Sequence, residues 1–201
     1  MKFKKMSALA SLFFFSLTGS AAPSPSRILD LEKTKSRVEF LSVGNPGAIK
    51  IRGKLPEEKP VLKGTIRLEG NAVSGSATVL LEQFDTGIEL RNKHMKEKYL
   101  ETQKWQTAEL TLTKMTLPDS CQQDECEASK VPFEGTLSLH GVKKPVSGTS
   151  DVKKKSSEVE ANFDFKFPLS DFGIETPSFM GVTVAQNVTV TVAVKGNLVG
   201  Q

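Results

Sequence analysis

Two histidines, one arginine, one tyrosine and a cysteine pair carry most of the chemistry that this 201-residue chain can offer. His94 and Arg91 share the run Arg91-Asn92-Lys93-His94-Met95, and Tyr99, the one tyrosine of the chain, follows four residues later. A histidine within one turn of an arginine and near a tyrosine can serve as a general acid or base. No nucleophile motif accompanies it, so catalysis is not expected. His140 ends a run of alternating residues just before Gly141. The two histidines share no carboxylate or thiolate at a recognisable ligand spacing, so neither a metal nor another cofactor is called for. Asp171-Phe172-Gly173 has the letters of a kinase triplet but lacks the Gly-rich and catalytic loops that give the triplet meaning. Arg91 can hold an anionic group or pair with Asp85 or Glu89. The Tyr99 hydroxyl can hydrogen-bond a ligand, or the ring can simply pack. Asp85-Thr86-Gly87 reads as the turn that caps and opens a helix.

Cys121 and Cys126 are the only cysteines, and they lie in the polar stretch from Pro118 to Lys130. Their spacing is not C-x-x-C and no histidine is close by, which argues against a redox or zinc pair. A disulfide is expected instead, because the chain begins like an exported protein. Lys2, Lys4 and Lys5 precede an apolar run from Met6 to Leu17, and Gly19-Ser20-Ala21-Ala22 offers small residues for cleavage after Ala21. That is the pattern of a secretory signal peptide over 1–21. The apolar run is too short for a membrane span, which takes roughly 18 residues or more. Localisation is therefore periplasmic or secreted, where disulfides persist. Removing three of the 27 basic residues with the leader leaves 24 against 23 acidic ones, so the net charge falls from +4 to +1. Without a cluster of positive charge, nucleic acid is not an expected partner. The runs Lys143-Lys144 and Lys153-Lys154-Lys155 read as solvated turns.

The elements that must position these groups are almost all strands. Two-residue alternation marks Ser36–Val43, Ala48–Leu55, Val61–Glu69, Ala72–Phe84, Thr107–Leu117, Pro132–His140, Val146–Val152, Glu158–Phe167 and Asn187–Val199. Asn45-Pro46-Gly47 and Gly70-Asn71 supply turn chemistry between neighbours. The alternation stops once, over Glu89 to Leu100, where the spacing turns helical. Short connections imply antiparallel neighbours. A sheet with one apolar face must close on itself or fold into a sandwich to protect its edges. The expectation is one all-β domain over 22–201, an antiparallel barrel with a short helix, about 89–100, near one end. Periodicity does not separate a hollow barrel from a filled one.

Three segments in order resemble the YceI-like family, the polyisoprenoid-binding, lipocalin-like proteins. They are Asp85-Thr86-Gly87…Arg91-Asn92-Lys93-His94-Met95…Tyr99-Leu100, Gly135-Thr136-Leu137-Ser138-Leu139-His140-Gly141-Val142-Lys143-Lys144-Pro145-Val146, and Phe167-Pro168-Leu169-Ser170-Asp171-Phe172-Gly173-Ile174 with Gly181-Val182-Thr183-Val184. Asn92 stands where the family often has Asp, Trp105-Gln106 replaces a Tyr/Phe-Pro pair, and the cysteine loop is an addition. The resemblance implies an extended eight-stranded antiparallel lipocalin-like β-barrel whose tunnel takes an isoprenoid or other long-chain lipid. It also implies a binding protein rather than an enzyme. The tunnel-lining candidates are Phe133, Leu137, Phe163, Phe165, Val190 and Val192. The mouth and head-group candidates are Arg91, His94, Met95, Tyr99 and His140. Two alternatives are an enzyme acting on a lipid head group and a filled barrel serving as a stress or interaction protein. A homodimer is left open, since no interface patch stands out.

Overall fold

The computed structural model describes residues 26–45, 50–56, 61–179 and 182–200. The expected leader and the Pro46-Gly47 turn lie outside these residues. Among the described residues, the strands are β1 (Ser26–Asp30), β2 (Lys35–Asn45), β3 (Lys50–Lys54), β4 (Lys63–Glu69), β5 (Ala72–Leu80), β6 (Thr107–Met115), β7 (Glu125–Leu139), β8 (Val142–Lys155), β9 (Glu158–Pro168), β10 (Ser178–Phe179), β11 (Val182–Asn197) and β12 (Val199–Gly200). The one α-helix among them, α1 (Glu89–His94), runs into a π-helical turn, Met95–Tyr99. The described part of the chain is therefore all-β, with a single helical insert where alternation stops.

The strands form one antiparallel sheet in the order β12-β1-β4-β5-β6-β7-β8-β9-β11-β2-β3, with β10 beside β11. The strand count exceeds the expected eight for a physical reason. A 3-10 turn, Leu31–Lys33, bends one long strand into β1 and β2. Leu198 interrupts another between β11 and β12. The first bent strand pairs with the second twice, β2 with β11 and β1 with β12, so the sheet curls round and meets itself. Counting each bent strand once, and setting aside the short ribbons β3 and β10, leaves the eight staves of a barrel. Bulges in β6, β7 and β11 add local bend and twist to the curl.

Three readings of the sequence are corrected. The cysteine stretch is not loop throughout. A 3-10 turn, Asp119–Gln122, gives way to β7 at Glu125, so Cys126 already lies in a strand. The Lys153–Lys155 run is not a solvated turn: it ends β8, and Lys154 is only 3% exposed. Val146, Gly148, Ser150, Val152 and Lys154 share a phase, and that phase faces inward. Strand β8 also begins earlier than expected, at Val142, and contains Pro145. A proline within a central strand costs a ladder bond, but pairing of β8 to β9 starts only at Gly148, so Pro145 lies beyond it. The turn before β8 shrinks to His140-Gly141, both at positive φ, as a tight two-residue hairpin requires.

The interior is divided along the barrel. At one end the core is solid. Phe133, 2% exposed, sets its ring edge-on to Phe163 and Phe165, with centroids 5.6 and 6.2 Å away. That ring fits because Gly148 has no side chain; a Cβ there would stand 2.8 Å from it. Met115, Leu117, Ala128, Val131, Val152 and Ala161 are buried in the same core. The Cys121–Cys126 disulfide has formed, with Cα atoms 5.0 Å apart, and Cys121 is buried in that core too. Beyond Phe163 the arrangement changes.

Candidate functional site

The other end of the barrel holds a cavity of about 630 Å³. Its wall is built from the inward phase of successive strands. Val38 and Phe40 come from β2, Ala77 and Val79 from β5, Ala108, Leu110 and Leu112 from β6, and Leu137 and Leu139 from β7. Phe163, Phe165 and Phe167 come from β9, and Val188, Val190, Val192 and Val194 from β11. Each set repeats every second residue, so the alternation that makes the strands also makes the wall apolar. Leu31, Leu62, Leu81, Phe84, Leu169 and Ile174 complete it from the turns and connections between strands.

The helical insert closes this end. Leu90, Arg91, His94, Met95, Tyr99 and Leu100 all line the cavity, and their spacing is that of one helical face. Ile88 and Leu90 line it too, yet are 53% and 54% exposed. Large apolar side chains that are half outside and half inside mark the mouth.

The turn before the helix is braced by hydrogen bonds. The Asp85 carboxylate accepts from the Asn92 side chain at 2.6 Å and from the Gly87 amide at 2.7 Å. The Asn92 bond, and then the Gly87 amide, hold the Asp85 carboxyl below its usual range. Asn92 also accepts from the Thr86 amide at 2.8 Å and from its hydroxyl at 2.6 Å. Arg91 turns to Thr86, not to Asp85 or Glu89: its Nε donates to the Thr86 hydroxyl at 2.9 Å, and one terminal nitrogen donates to the Thr86 carbonyl. Asp85-Thr86-Gly87 thus anchors the helix through Asn92 and Arg91, while Ile88 stands at the cap position without a side-chain bond.

The far side of the insert is pinned as well. Glu82 pairs with Lys96 at 3.4 Å and accepts from the Thr102 hydroxyl at 2.6 Å. Lys98 stands 5.2 Å from the centre of the Tyr99 ring. His140 is a fastener outside the cavity. Its ring bonds the Phe172 carbonyl at 3.1 Å and the Glu101 carboxylate at 2.8 Å, and Trp105 packs edge-on to it at 6.0 Å. It ties the end of the insert to the β7–β8 hairpin and to the 3-10 turn Leu169–Phe172.

Of the mouth candidates, Arg91, His94, Met95 and Tyr99 come together on the cavity and His140 does not. Of the tunnel candidates, Leu137, Phe163, Phe165, Val190 and Val192 line the cavity, whereas Phe133 belongs to the solid end. Alternation alone does not mark the level at which filling stops, so Phe133 and Phe163 look alike in sequence. Ile88, Leu90, Thr86, Pro177 and Ser42 also line the site, beyond the candidates that the sequence offers for it. Ile88 and Leu90 carried a signal: exposed apolar residues on a short insert otherwise rich in charge. Among the described residues no cluster of His, Cys, Asp and Glu could hold a metal ion.

Comparison with known proteins gives a consistent result. Residues 29–196 match the model of the YceI-like domain. A polyisoprenoid binding domain from Saccharophagus degradans, implicated in plant cell wall breakdown, has a similar structure, with a TM-score of 0.62 at 16% identity over 90% of this chain and 100% of that one. BcnA of Burkholderia cenocepacia superposes with a TM-score of 0.65 at 16% identity, over 84% of this chain and 99% of the other. No curated protein sequence matches.

Proposed function

Since this chain belongs to the YceI-like domain family, we propose that it is an exported binding protein holding an isoprenoid or similar amphipathic lipid in its barrel. The observation that carries this reading is the apolar cavity of about 630 Å³, open where Ile88 and Leu90 stand. Ligand sites commonly span about 300–1,000 Å³ and combine an apolar wall with a few placed polar groups. Here four of the polar residues of the wall, Thr86, Arg91, His94 and Tyr99, gather on the insert and its preceding turn, with Ser42 and Ser178 on strands. The tail would lie along Leu137, Phe163, Phe165, Val190 and Val192. Binding energy comes from methylene burial, about 0.8 kcal/mol for each CH₂ removed from water. The fold is that of the Saccharophagus domain described as polyisoprenoid binding, which favours the same ligand class.

Export rests on the basic, apolar and small-residue order of 1–21. The Cys121–Cys126 disulfide agrees with an oxidising compartment, periplasmic or extracellular. Native mass spectrometry of protein recovered from that compartment tests the reading. An apolar adduct released by organic solvent is expected. A uniformly bare protein that also fails to take up geranylgeraniol or longer polyprenols removes it.

A further inference from the structure

We propose that the ligand is a single-tailed lipid of about twenty tail atoms whose head group is an anion held by Arg91. This rests on the lipid-binding reading above and narrows it.

The charge of Arg91 is the first observation. Arg91 is one of the residues that line the cavity, and it is partly buried. Both of its bonds go to neutral acceptors of Thr86, the hydroxyl and the carbonyl. The neighbouring acids are committed elsewhere. Asp85 is taken by Asn92 and Gly87, Glu82 by Lys96 and Thr102, and Glu101 by His140. Glu89 and Glu97 are exposed on the insert, and no carboxylate of the described residues forms an ion pair with Arg91. A guanidinium has five N–H donors, so donors remain after Thr86 is served. A cation beside an apolar wall without a counter-charge is poorly compensated. A carboxylate or phosphate entering with the lipid supplies that counter-charge through charge-assisted hydrogen bonds. Thr86 fixes the side chain beforehand, which lowers the ordering cost of binding.

The size of the cavity is the second observation, and it is independent of the first. An apolar cavity of about 150 Å³ takes one benzene, so 630 Å³ admits on the order of twenty atoms. That is one chain. A lipid with two long acyl tails exceeds it, and a prenyl tail of about forty carbons would leave half its length outside. Four isoprene units, or one long fatty acyl chain, fit.

The shared chemistry is therefore a carboxylate or phosphate on one medium tail. Oleic acid and geranylgeranyl monophosphate separate its two sources. Displacement of a fluorescent fatty-acid probe from the delipidated full chain is the assay. Competitors are oleic acid, geranylgeranyl monophosphate, geranylgeraniol, a forty-carbon polyprenyl monophosphate and phosphatidylglycerol. One or both of the single-tailed anions should compete about tenfold or more better than geranylgeraniol, the scale of a hydrogen bond to a charged group. Both should also beat phosphatidylglycerol, and the longer phosphate should gain nothing over the twenty-carbon one. Arg91→Gln should erase the preference for the anion while keeping affinity for geranylgeraniol, and Arg91→Lys should keep much of it. The preference measured on the unaltered protein stands by itself if a variant does not fold. Equal affinity for alcohol and anion overturns the head-group assignment. So does a preference that survives Arg91→Gln. Tightest binding by the forty-carbon phosphate overturns the size assignment. In each case the lipid-binding reading survives, whereas binding of none of the five, with no probe uptake, overturns that reading itself.

Discussion

Replacing Ala77 by phenylalanine puts a ring where the structure has space. Ala77 lies on β5, lines the cavity and is paired across the sheet with Gly64 and Leu110. The substitution adds six carbons, about 180 Å³ at the liquid share of one water per atom, which is more than a quarter of the 630 Å³ present. In a hollow barrel that ring meets apolar walls without displacing side chains. Its burial should raise the stability of the lipid-free protein by about 1–2 kcal/mol, within the range for an aromatic side chain leaving water. The same change in a packed core overpacks it and costs about 1–3 kcal/mol. The sign of the effect thus decides between the two. Ala128→Phe is the matched control, because Ala128 is 6% exposed, is buried in the core and is not part of this cavity's wall. It should destabilise. Binding should move as well. Six displaced methylenes at about 0.8 kcal/mol each amount to at most about 5 kcal/mol, so affinity for a twenty-carbon tail should fall at least about tenfold even if the tail shifts toward the mouth. Urea unfolding of both delipidated variants, followed through Trp105, the one tryptophan, gives the stability, and probe displacement gives the affinity. Equal destabilisation by Ala77→Phe and Ala128→Phe would refute the hollow barrel.

Two further outcomes concern the solid end. The disulfide joins residues only five apart, so changing both Cys121 and Cys126 to serine should cost at most about 2 kcal/mol. Neither cysteine lines the cavity, so probe affinity should stay unchanged; a thermal melt and the displacement assay check the pair, and lost binding in a folded variant contradicts the division of the interior. Lys154 donates to the Cys121 carbonyl at 2.7 Å, and burial first, then the nearby charge of Arg27, hold its ammonium below the usual 10.5, against the pull of Asp124. The native state therefore releases that proton at a lower pH than the unfolded chain does. Between those two values the unfolded state binds more protons, so the contribution of Lys154 to stability rises with pH, is full above 10.5 and is lost as pH falls through the native value. Lys154→Met should remove that rise. Urea midpoints of the two proteins, compared at neutral pH and toward 10.5, should diverge in the alkaline range, and parallel curves contradict the assignment.

The parts of this structure that follow from period were legible in the sequence. Val159, Ala161, Phe163, Phe165 and Phe167 alternate against charged neighbours, and they do form the inner face of β9. The break at Glu89 is a helix, because Leu90, Arg91, His94 and Met95 share a helical face and nothing there alternates. Other features were hidden because they depend on what lies opposite. The inward phase of β8 includes Lys154, and the sequence weighted its charge over its phase. Phe133 and Phe163 carry the same pattern, but only Phe133 has Gly148 beneath it to receive its ring. The partner of Arg91 was equally out of reach. Choosing Thr86 over Asp85 depends on Asn92 having already claimed the carboxylate.

The division into a solid and a hollow end also bears on what fills the cavity in solution. At about 24 cal/mol per Å³, a dry void of 630 Å³ would cost on the order of 15 kcal/mol. That equals the upper end of the roughly 5–15 kcal/mol by which whole domains are stable. At that cost a ligand, or water entering past Ile88 and Leu90, is expected to fill the space. Water against so apolar a wall finds few partners. Besides the hydroxyls of Ser42, Thr86, Tyr99 and Ser178, the described residues of the wall offer side-chain bonding groups only at Arg91 and His94. An apolar tail meets no such difficulty and leaves those groups to its head. The Phe133 end is packed by its own side chains, and the helical end is left unfilled by its own. A barrel packed throughout would be more stable and would hold nothing.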